Sequence, residues 1–232
     1  MAGTSSTSAS TSGSAPRLRA DAARNRELLL AAAREAFAEH GLDVSMRQIA
    51  ARAGVAEPTL RRRFASKEEL VAEAFEDKVA RYADLALAAL DQPDAGAAFR
   101  CFLNQVMEMQ LGDRGFADVL TITFPPTMAC EQHRRRSYEA VERLIARAKD
   151  DGVLRPDFVA EDIVLVLLAH AGVVGCGGAV AGAFSARLRA LLLQTFGLEP
   201  VGELPPAPSV GRVYHALMRL HDQKTTPGSP GG

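Results

Sequence analysis

The residues whose types and spacing most clearly indicate a chemical role are three consecutive arginines at positions 61 to 63. A guanidinium group binds a phosphate oxygen or makes two parallel hydrogen bonds to a guanine edge, and it keeps its charge at physiological pH. Arg47 precedes the run and Lys67 follows it closely. This cluster of cations predicts a surface that binds a polyanion such as a nucleic acid.

The elements that must position these arginines are two short helices joined by a tight turn. The hydroxyl of Ser45 is suited to cap the first helix, and Gly54 supplies the backbone freedom that the turn needs. Pro58 fits the first turn of the second helix, where a missing backbone N–H costs nothing. Leu60 and Phe64 are four residues apart and point to the core, which leaves the arginines outward. The segment therefore predicts a helix-turn-helix.

DNA reading by a helix requires side chains that reach base edges, flanked by groups that hold phosphates. Contacts to base edges are expected from the first turns of the second helix and from the helix before it, at Glu57, Pro58, Arg61, Arg62 and Arg47. Phosphate contacts are expected from Thr59, Arg63 and Lys67.

Charge and composition agree with this prediction. Residues 17–67 carry ten arginines and one lysine against six acids, a net charge of +5, whereas the whole chain of 232 residues carries −1. A basic end on a mildly acidic body is typical of a protein that presents that end to a polyanion. The three widely spaced cysteines, the lack of a secretory pattern and the lack of a long apolar run predict a cytoplasmic protein with neither disulfides nor a membrane span.

Apolar periodicity predicts an all-α chain of nine or ten helices. Residues 1–19 are expected to form a disordered arm, either an inert leader or an addition to the DNA contacts, and residues 222–232 a disordered tail. Between them we expect a three-helix DNA-binding domain at 20–66 and a larger helical effector-binding and dimerisation domain at 67–221. Helices are expected over 21–40, 66–90, 95–111, 116–123, 128–151, 160–176, 181–196 and 210–221. The helix that begins at Ser66, in a capping box with Glu69, is long enough to bridge the two domains.

Four linked elements carry a resemblance to a known family. They are Phe37 four residues before Gly41; Ile49-Ala50-x-x-Ala53-Gly54-Val55; Pro58-Thr59-Leu60-x-x-x-Phe64; and Ser66-Lys67-Glu68-Glu69-Leu70. At this spacing, residues 21–75 resemble the DNA-binding domain of TetR-family transcriptional regulators. The resemblance implies a phosphate anchor at Ser45 and a base contact at Arg47. Arg61 and Arg63 depart from the aromatic or histidine side chains common there, which leaves the operator sequence open.

For the rest of the chain, the resemblance implies a helical body that dimerises and binds a small-molecule effector. The chain would then be a repressor, bound as a homodimer to a near-palindromic double-stranded DNA operator with half-sites about 34 to 36 Å, or a multiple, apart. Small residues on the two most apolar helices would allow a close dimer contact, at Ala169, Gly172, Gly175, Gly182 and Ala186. An effector pocket is expected among Phe99, Phe102, Val106, Met109, Phe116, Phe124 and Met128, although core packing explains each of them as well.

Other classes of function find less support. No Gly-rich phosphate loop, nucleophile elbow or H-E-x-x-H motif occurs, so neither an enzyme nor a cofactor is expected, and Ser185 is interpreted as a capping or surface serine. Cys130 and His133 share a helix face, but a pair of ligands does not make a metal site, so no metal is expected. The second arginine run, 134–136, is expected to be a solvated face. A helical DNA-binding or interaction module without effector control would have a body without a cavity.

Overall fold

The computed structural model describes residues 14–122, 125, 128–176 and 178–225. Within these residues the chain forms helices and no strand, so the predicted all-α class is confirmed. The amino-terminal domain contains α1 (Ser14–His40), a 3-10 turn (Gly41–Asp43), α2 (Met46–Arg52) and α3 (Glu57–Arg63). The body contains α4 (Lys67–Leu90), α5 (Ala95–Leu111), α6 (Arg114–Val119), α7 (Ala129–Asp150), α8 (Ala160–Gly175), α9 (Gly178–Thr195) and α10 (Val210–Thr225).

The terminal helices are longer than the sequence predicted. Since α1 begins at Ser14, residues 14–19 are helical and the prediction of a disordered arm through residue 19 is wrong for them. Alanine, arginine and leucine favour a helix here, and Pro16 lies in the first turn, where proline is tolerated. α10 continues to Thr225, past the boundary predicted at 221. Residues 1–13 of the arm and 226–232 of the tail lie outside the described residues.

The helix-turn-helix forms as predicted from its local signals. The Ser45 hydroxyl accepts a hydrogen bond from the backbone N–H of Gln48, and the Gln48 side chain accepts one from the backbone N–H of Ser45, which completes a capping box. Gly54 has a φ of 68°, the left-handed conformation that favours glycine. Leu60 and Phe64 are fully buried. Their burial fixes which side of α3 faces outward.

α4 bridges the two domains. Its first turn is capped by the Ser66 hydroxyl, which accepts a hydrogen bond from the backbone N–H of Glu69. The Glu69 carboxylate accepts from the backbone N–H of Ala65 rather than of Ser66, so only half of the predicted capping box forms. Further along, α4 packs mainly against α7. One continuous hydrophobic core reaches from Leu29 to Leu198 through both domains, so they form one packed unit.

The joint between the domains is a close contact of α6 with α1 and α4. The rings of Phe37 in α1 and Phe75 in α4 lie 5.7 Å apart, and Gly115 of α6 packs directly on both residues. Next to this contact, the backbone N–H of Leu42 donates a 2.8 Å hydrogen bond to the Asp118 carboxylate. The 3-10 turn that leads into the helix-turn-helix is thereby bonded to α6.

Candidate nucleic-acid interface and ligand cavity

The outer surface of α2 and α3 presents most of the predicted DNA-contacting side chains to solvent. The exposed members are Ser45, Arg47, Pro58, Arg61, Arg62 and Arg63, and the half-buried ones are Glu57, Thr59 and Lys67. The structure therefore brings eight of the nine predicted contact residues to the exposed or partly exposed surface of the amino-terminal domain, and the ninth, Lys67, lies at the start of α4 beside it. This arrangement suits an element that enters the major groove.

The side chains of Arg61 and Arg62 hydrogen-bond to residues of α3 itself. The Arg61 Nε donates to the Glu57 carboxylate at 2.7 Å, and Arg62 donates to the Pro58 carbonyl and the Thr59 hydroxyl, both at 3.3 Å. An exposed ion pair of this i, i+4 type contributes only about 0.3 to 0.5 kcal/mol. A phosphate or a guanine edge can therefore displace these contacts at low cost.

Arg63 and Lys67 both contact the amino-terminal domain. Arg63 donates a 3.1 Å hydrogen bond to the Ala22 carbonyl of α1, and the Lys67 ammonium donates to the Leu42 carbonyl. Both cations thus help to join α3 and the start of α4 to the elements before them. A lysine has three N–H donors and an arginine five, so these bonds leave donors for a phosphate.

A groove of about 280 Å³ between α1 and α3 adds two residues that the sequence did not single out, Asn25 and Arg26. The Arg26 guanidinium stabilises the fold, because it forms a bidentate ion pair with Glu73 of α4 and lies 4.7 Å from the centre of the Phe64 ring. Asn25 is exposed and shares the groove with Thr59. No spacing pattern in the sequence distinguishes Asn25 from the other polar residues of α1.

The body contains a cavity of about 230 Å³ bounded by α4, α7, α8 and the residues that follow α6. Seven of its described lining residues are apolar: Val79, Leu120, Val141, Ala160, Ile163, Val164 and Leu167. Four carry hydroxyl groups, Tyr82, Thr121, Ser137 and Tyr138, and the remaining one is Arg134. An apolar cavity with a few polar groups is the usual form of a small-molecule site.

The described residues among those predicted for the effector pocket do not line this cavity. Four of them are buried in the hydrophobic core: Phe99, Phe102, Val106 and Phe116. Met109 and Met128 are partly buried against this core, and Phe124 lies outside the described residues. Phe102 contacts a lining residue, since its ring lies 5.8 Å from that of Tyr82. Helical periodicity identifies an inward face but not whether that face meets another side chain or an empty space.

Arg134 is the cavity residue that the sequence interpretation missed. Its guanidinium donates a 2.9 Å hydrogen bond to the Val119 carbonyl at the end of α6, and its Nε lies 3.9 Å from a Glu131 carboxylate oxygen. The prediction of a solvated arginine run holds for Arg135 and Arg136, which are exposed, but is wrong for Arg134. A signal was present, because Arg134 lies four residues after buried Cys130 and three before buried Ser137, on the inward stripe of α7.

Burial changes the acidity of two groups around the cavity and the domain joint. It raises the pKa of the Tyr82 phenol to about 12, although contact with Ser137 and the charge of Arg134 oppose this change. Burial also raises the pKa of Asp118, against the hydrogen bond from the Leu42 N–H. The same short helix α6 therefore ends beside the cavity and carries the carboxylate that holds the DNA-binding domain.

A buried polar chain joins α5, α8 and α9. The Nε2 atom of His170 lies 2.7 Å from the Ser185 hydroxyl, and its Nδ1 atom lies 2.8 Å from the Gln110 amide oxygen. Because an amide oxygen only accepts, the proton of a neutral His170 is on Nδ1, and Ser185 donates to Nε2. Burial lowers the pKa of His170 to about 4. Ser185 is only 2% exposed, so its interpretation as a surface serine is wrong, and its contact with His170 ties two helices together.

The outer face of α8 carries an apolar stripe that no described part of the chain covers. Val164, Leu165 and Leu168 are 44%, 63% and 48% exposed. Of the small residues predicted for a dimer contact, Ala169 and Gly172 are exposed on this stripe, and Gly175, Gly182 and Ala186 are half-buried. A Cβ added at Gly172 or Gly182 would meet nothing within 4 Å. The face is open to a partner helix.

The remaining observations concern Cys130, metal binding and membrane spans. The Cys130 thiol donates to the Ala72 carbonyl at 3.0 Å, and burial raises its pKa to about 11. Across the part of the chain that the structure describes, no three His, Cys, Asp or Glu side chains are grouped so that they could hold a metal ion. None of the described helices is both long and apolar enough to cross a membrane.

Comparison with known proteins gives two family matches and several similar structures. Residues 29–74 match bacterial regulatory proteins of the tetR family, and residues 94–196 match the C-terminal domain of SbtR-like transcriptional regulators. A TetR-family regulator from Pectobacterium atrosepticum is 26% identical with a TM-score of 0.52, over 79% of this chain and 99% of that one. Two further structures share the fold, each with a TM-score of 0.52. MbdR from Azoarcus sp. CIB is 23% identical over 73% of this chain and 97% of that one. FadR from Bacillus subtilis in complex with stearoyl-CoA is 16% identical over 75% of this chain and 100% of that one. No curated protein matches the sequence.

Proposed function

The chain belongs to the TetR family of bacterial transcriptional regulators, and we propose that it is a repressor that binds a near-palindromic operator as a homodimer and is released by a small-molecule effector. The observation that carries the DNA-binding part is the outward set of arginines on α3. Arg61 and Arg62 are exposed while Leu60, between them and the turn, is fully buried. The buried face holds α3 on its domain, and the charged face remains available to the groove.

The apolar stripe on α8 supports the homodimer. Monomeric soluble proteins rarely leave contiguous large apolar side chains in water, and such patches mark interaction sites. A twofold axis through α8 and α9 would bury Leu165 and Leu168 against their copies and would present two α3 helices to one face of the DNA.

The position of the cavity supports release by an effector. Leu120 and Thr121 line the cavity directly after the end of α6, and Asp118 of α6 is bonded to Leu42 beside the helix-turn-helix. A ligand that displaces α6 therefore acts on the DNA-binding domain through a direct hydrogen bond. The presence of a cavity favours this proposal over a helical DNA-binding module without effector control.

Selection of bound fragments from genomic DNA, followed by titration of the purified dimer on the selected site, tests the proposal. Arg61→Ala and Arg62→Ala should each weaken operator binding by about 1 to 3 kcal/mol and relax sequence preference, because each removes donors from the groove. Arg135→Ala is the matched control, since Arg135 is an exposed arginine on the body and should leave affinity unchanged. Wild-type affinity and sequence preference in both α3 variants would exclude these contacts.

A further inference from the structure

We propose that the effector is a small organic anion with an apolar skeleton, and that Arg134 binds its acid group. This inference rests on the proposed function, in that it takes the body cavity to be the effector site. It goes further by assigning the chemical class of the ligand and the residue that selects it.

The cavity lining favours such a ligand by size and charge. At about 230 Å³, the cavity is smaller than the range of about 300 to 1,000 Å³ typical of sites for drug-sized ligands. Arg134 is the single charged residue among the described lining residues, and the seven apolar ones surround most of the space. Glu131 is not among the described lining residues, and its carboxylate pairs with Arg134 from outside the lining, with one oxygen 3.9 Å from the Arg134 Nε. A cation in the cavity would therefore meet the charge of Arg134, with no acid among the described lining residues.

Three of the four hydroxyl groups among the described lining residues donate their protons to protein acceptors. Ser137 donates its proton to the Arg134 carbonyl and Thr121 donates to the Asp118 carbonyl, each at 2.8 Å. Tyr138 donates to the Glu161 carboxylate at 3.3 Å. The Tyr82 phenol is the fourth of these hydroxyls, but it is neutral, whereas the Arg134 guanidinium is charged and its charge-assisted bonds to a carboxylate are the strong ones.

Arg134 also connects the acid group to release from the operator. Its hydrogen bond to the Val119 carbonyl holds the end of α6, and an anionic oxygen is a stronger acceptor than a carbonyl. An anion in the cavity competes for this guanidinium, whereas a neutral molecule of the same shape fills the space without that competition. Occupancy by the anion should therefore loosen α6 at Val119 and act on Leu42 through Asp118.

Calorimetric titration of the purified protein with matched ligands tests the inference. The probes are octanoate and phenylacetate, with 1-octanol, octylamine and 2-phenylethanol as neutral or cationic counterparts. At least one acid should bind at least about tenfold more tightly than its alcohol, because a charge-assisted hydrogen bond is about twice as strong as a neutral one. The same acid should lower operator affinity in a parallel binding assay.

Variants at two neighbouring arginines identify the residue. Arg134→Gln should abolish the preference for the acid while leaving the affinity for the alcohol, and Arg135→Gln should change neither, because Arg135 is exposed. Thermal denaturation checks that Arg134→Gln is folded; if it is not, Arg134→Lys, which keeps the charge, should retain a preference for the acid over the alcohol.

The outcomes separate the inference from the proposed function. If an alcohol binds as tightly as its acid and releases the operator, or if Arg134→Gln keeps the preference for the acid, the inference fails while effector control stands. If none of the probes binds, the inference fails as stated. If ligands bind the cavity without any change in operator affinity, effector control through this cavity fails as well.

Discussion

Gly115 is the position where α6 approaches the DNA-binding domain most closely, and Gly115→Ala tests that contact. An added Cβ would lie 2.7 Å from the Phe75 Cζ, 2.8 Å from the Phe37 Cβ and 3.0 Å from the Phe37 carbonyl oxygen. Both phenylalanines are fully buried, so neither ring can turn into solvent. The Phe37 Cβ and carbonyl belong to the frame of α1, and they can move only if α1 and α6 separate.

The size of the effect follows from two opposing terms. Overpacking a close-packed site costs about 1 to 3 kcal/mol, and alanine recovers up to about 1 kcal/mol because it is a better helix former than glycine. The net loss in the free energy of unfolding should be about 1 to 2 kcal/mol. In a chain of this size each kcal/mol lowers the Tm by about 2 to 4 °C. Operator affinity should also fall, since separation of α1 and α6 strains the bond between Leu42 and Asp118.

Thermal denaturation followed by circular dichroism, at one fixed protein concentration, measures the effect. Gly112→Ala is the matched control, because its added Cβ would meet its nearest neighbour, the Glu108 carbonyl oxygen, at an ordinary 3.5 Å. We expect the control to melt within error of the wild type or above it. A Gly115→Ala protein that melts no lower than the wild type, with unchanged operator affinity, would refute the close contact of α6 with α1.

Two further variants probe the body. Leu168→Arg should give a folded monomer in sedimentation velocity and lose tight operator binding, because it places a charge on the apolar stripe of α8. The control Val201→Arg, at a site 90% exposed, should remain dimeric. If Leu168→Arg is still a dimer, this face of α8 is not the dimer contact. Burial lowers the pKa of His170 from 6.5 to about 4 in the folded protein. Between these pH values the unfolded state binds more protons than the folded state does. The free energy of unfolding should therefore fall as pH decreases from 6.5 to 4, by up to about 3 kcal/mol. Urea denaturation at pH 7.5 and 4.5 should show a smaller pH dependence for His170→Gln, and equal dependences would contradict the assignment.

The helix-turn-helix could be predicted from sequence because its signals act over a few residues. The cap at Ser45, the left-handed turn at Gly54 and the buried pair Leu60 and Phe64 each depend on neighbours within about one helical turn. The same reasoning failed at the amino terminus, where low complexity up to residue 13 obscured the start of α1 at Ser14. Local composition does not show where a helix gains enough support to begin.

In the body, the sequence was sufficient for the helices but not for the site that they enclose. Phe99, Phe102 and Arg134 all lie on inward stripes, yet the aromatic pair packs in the core and the arginine lines the cavity. Chain-local patterns establish the all-α class, the recognition helix and its charge, since capping, turn geometry and periodicity are properties of short segments. The cavity and the Leu42–Asp118 bond were decided by tertiary structure, because each requires residues many positions apart to meet, and their separation is set by how whole helices pack.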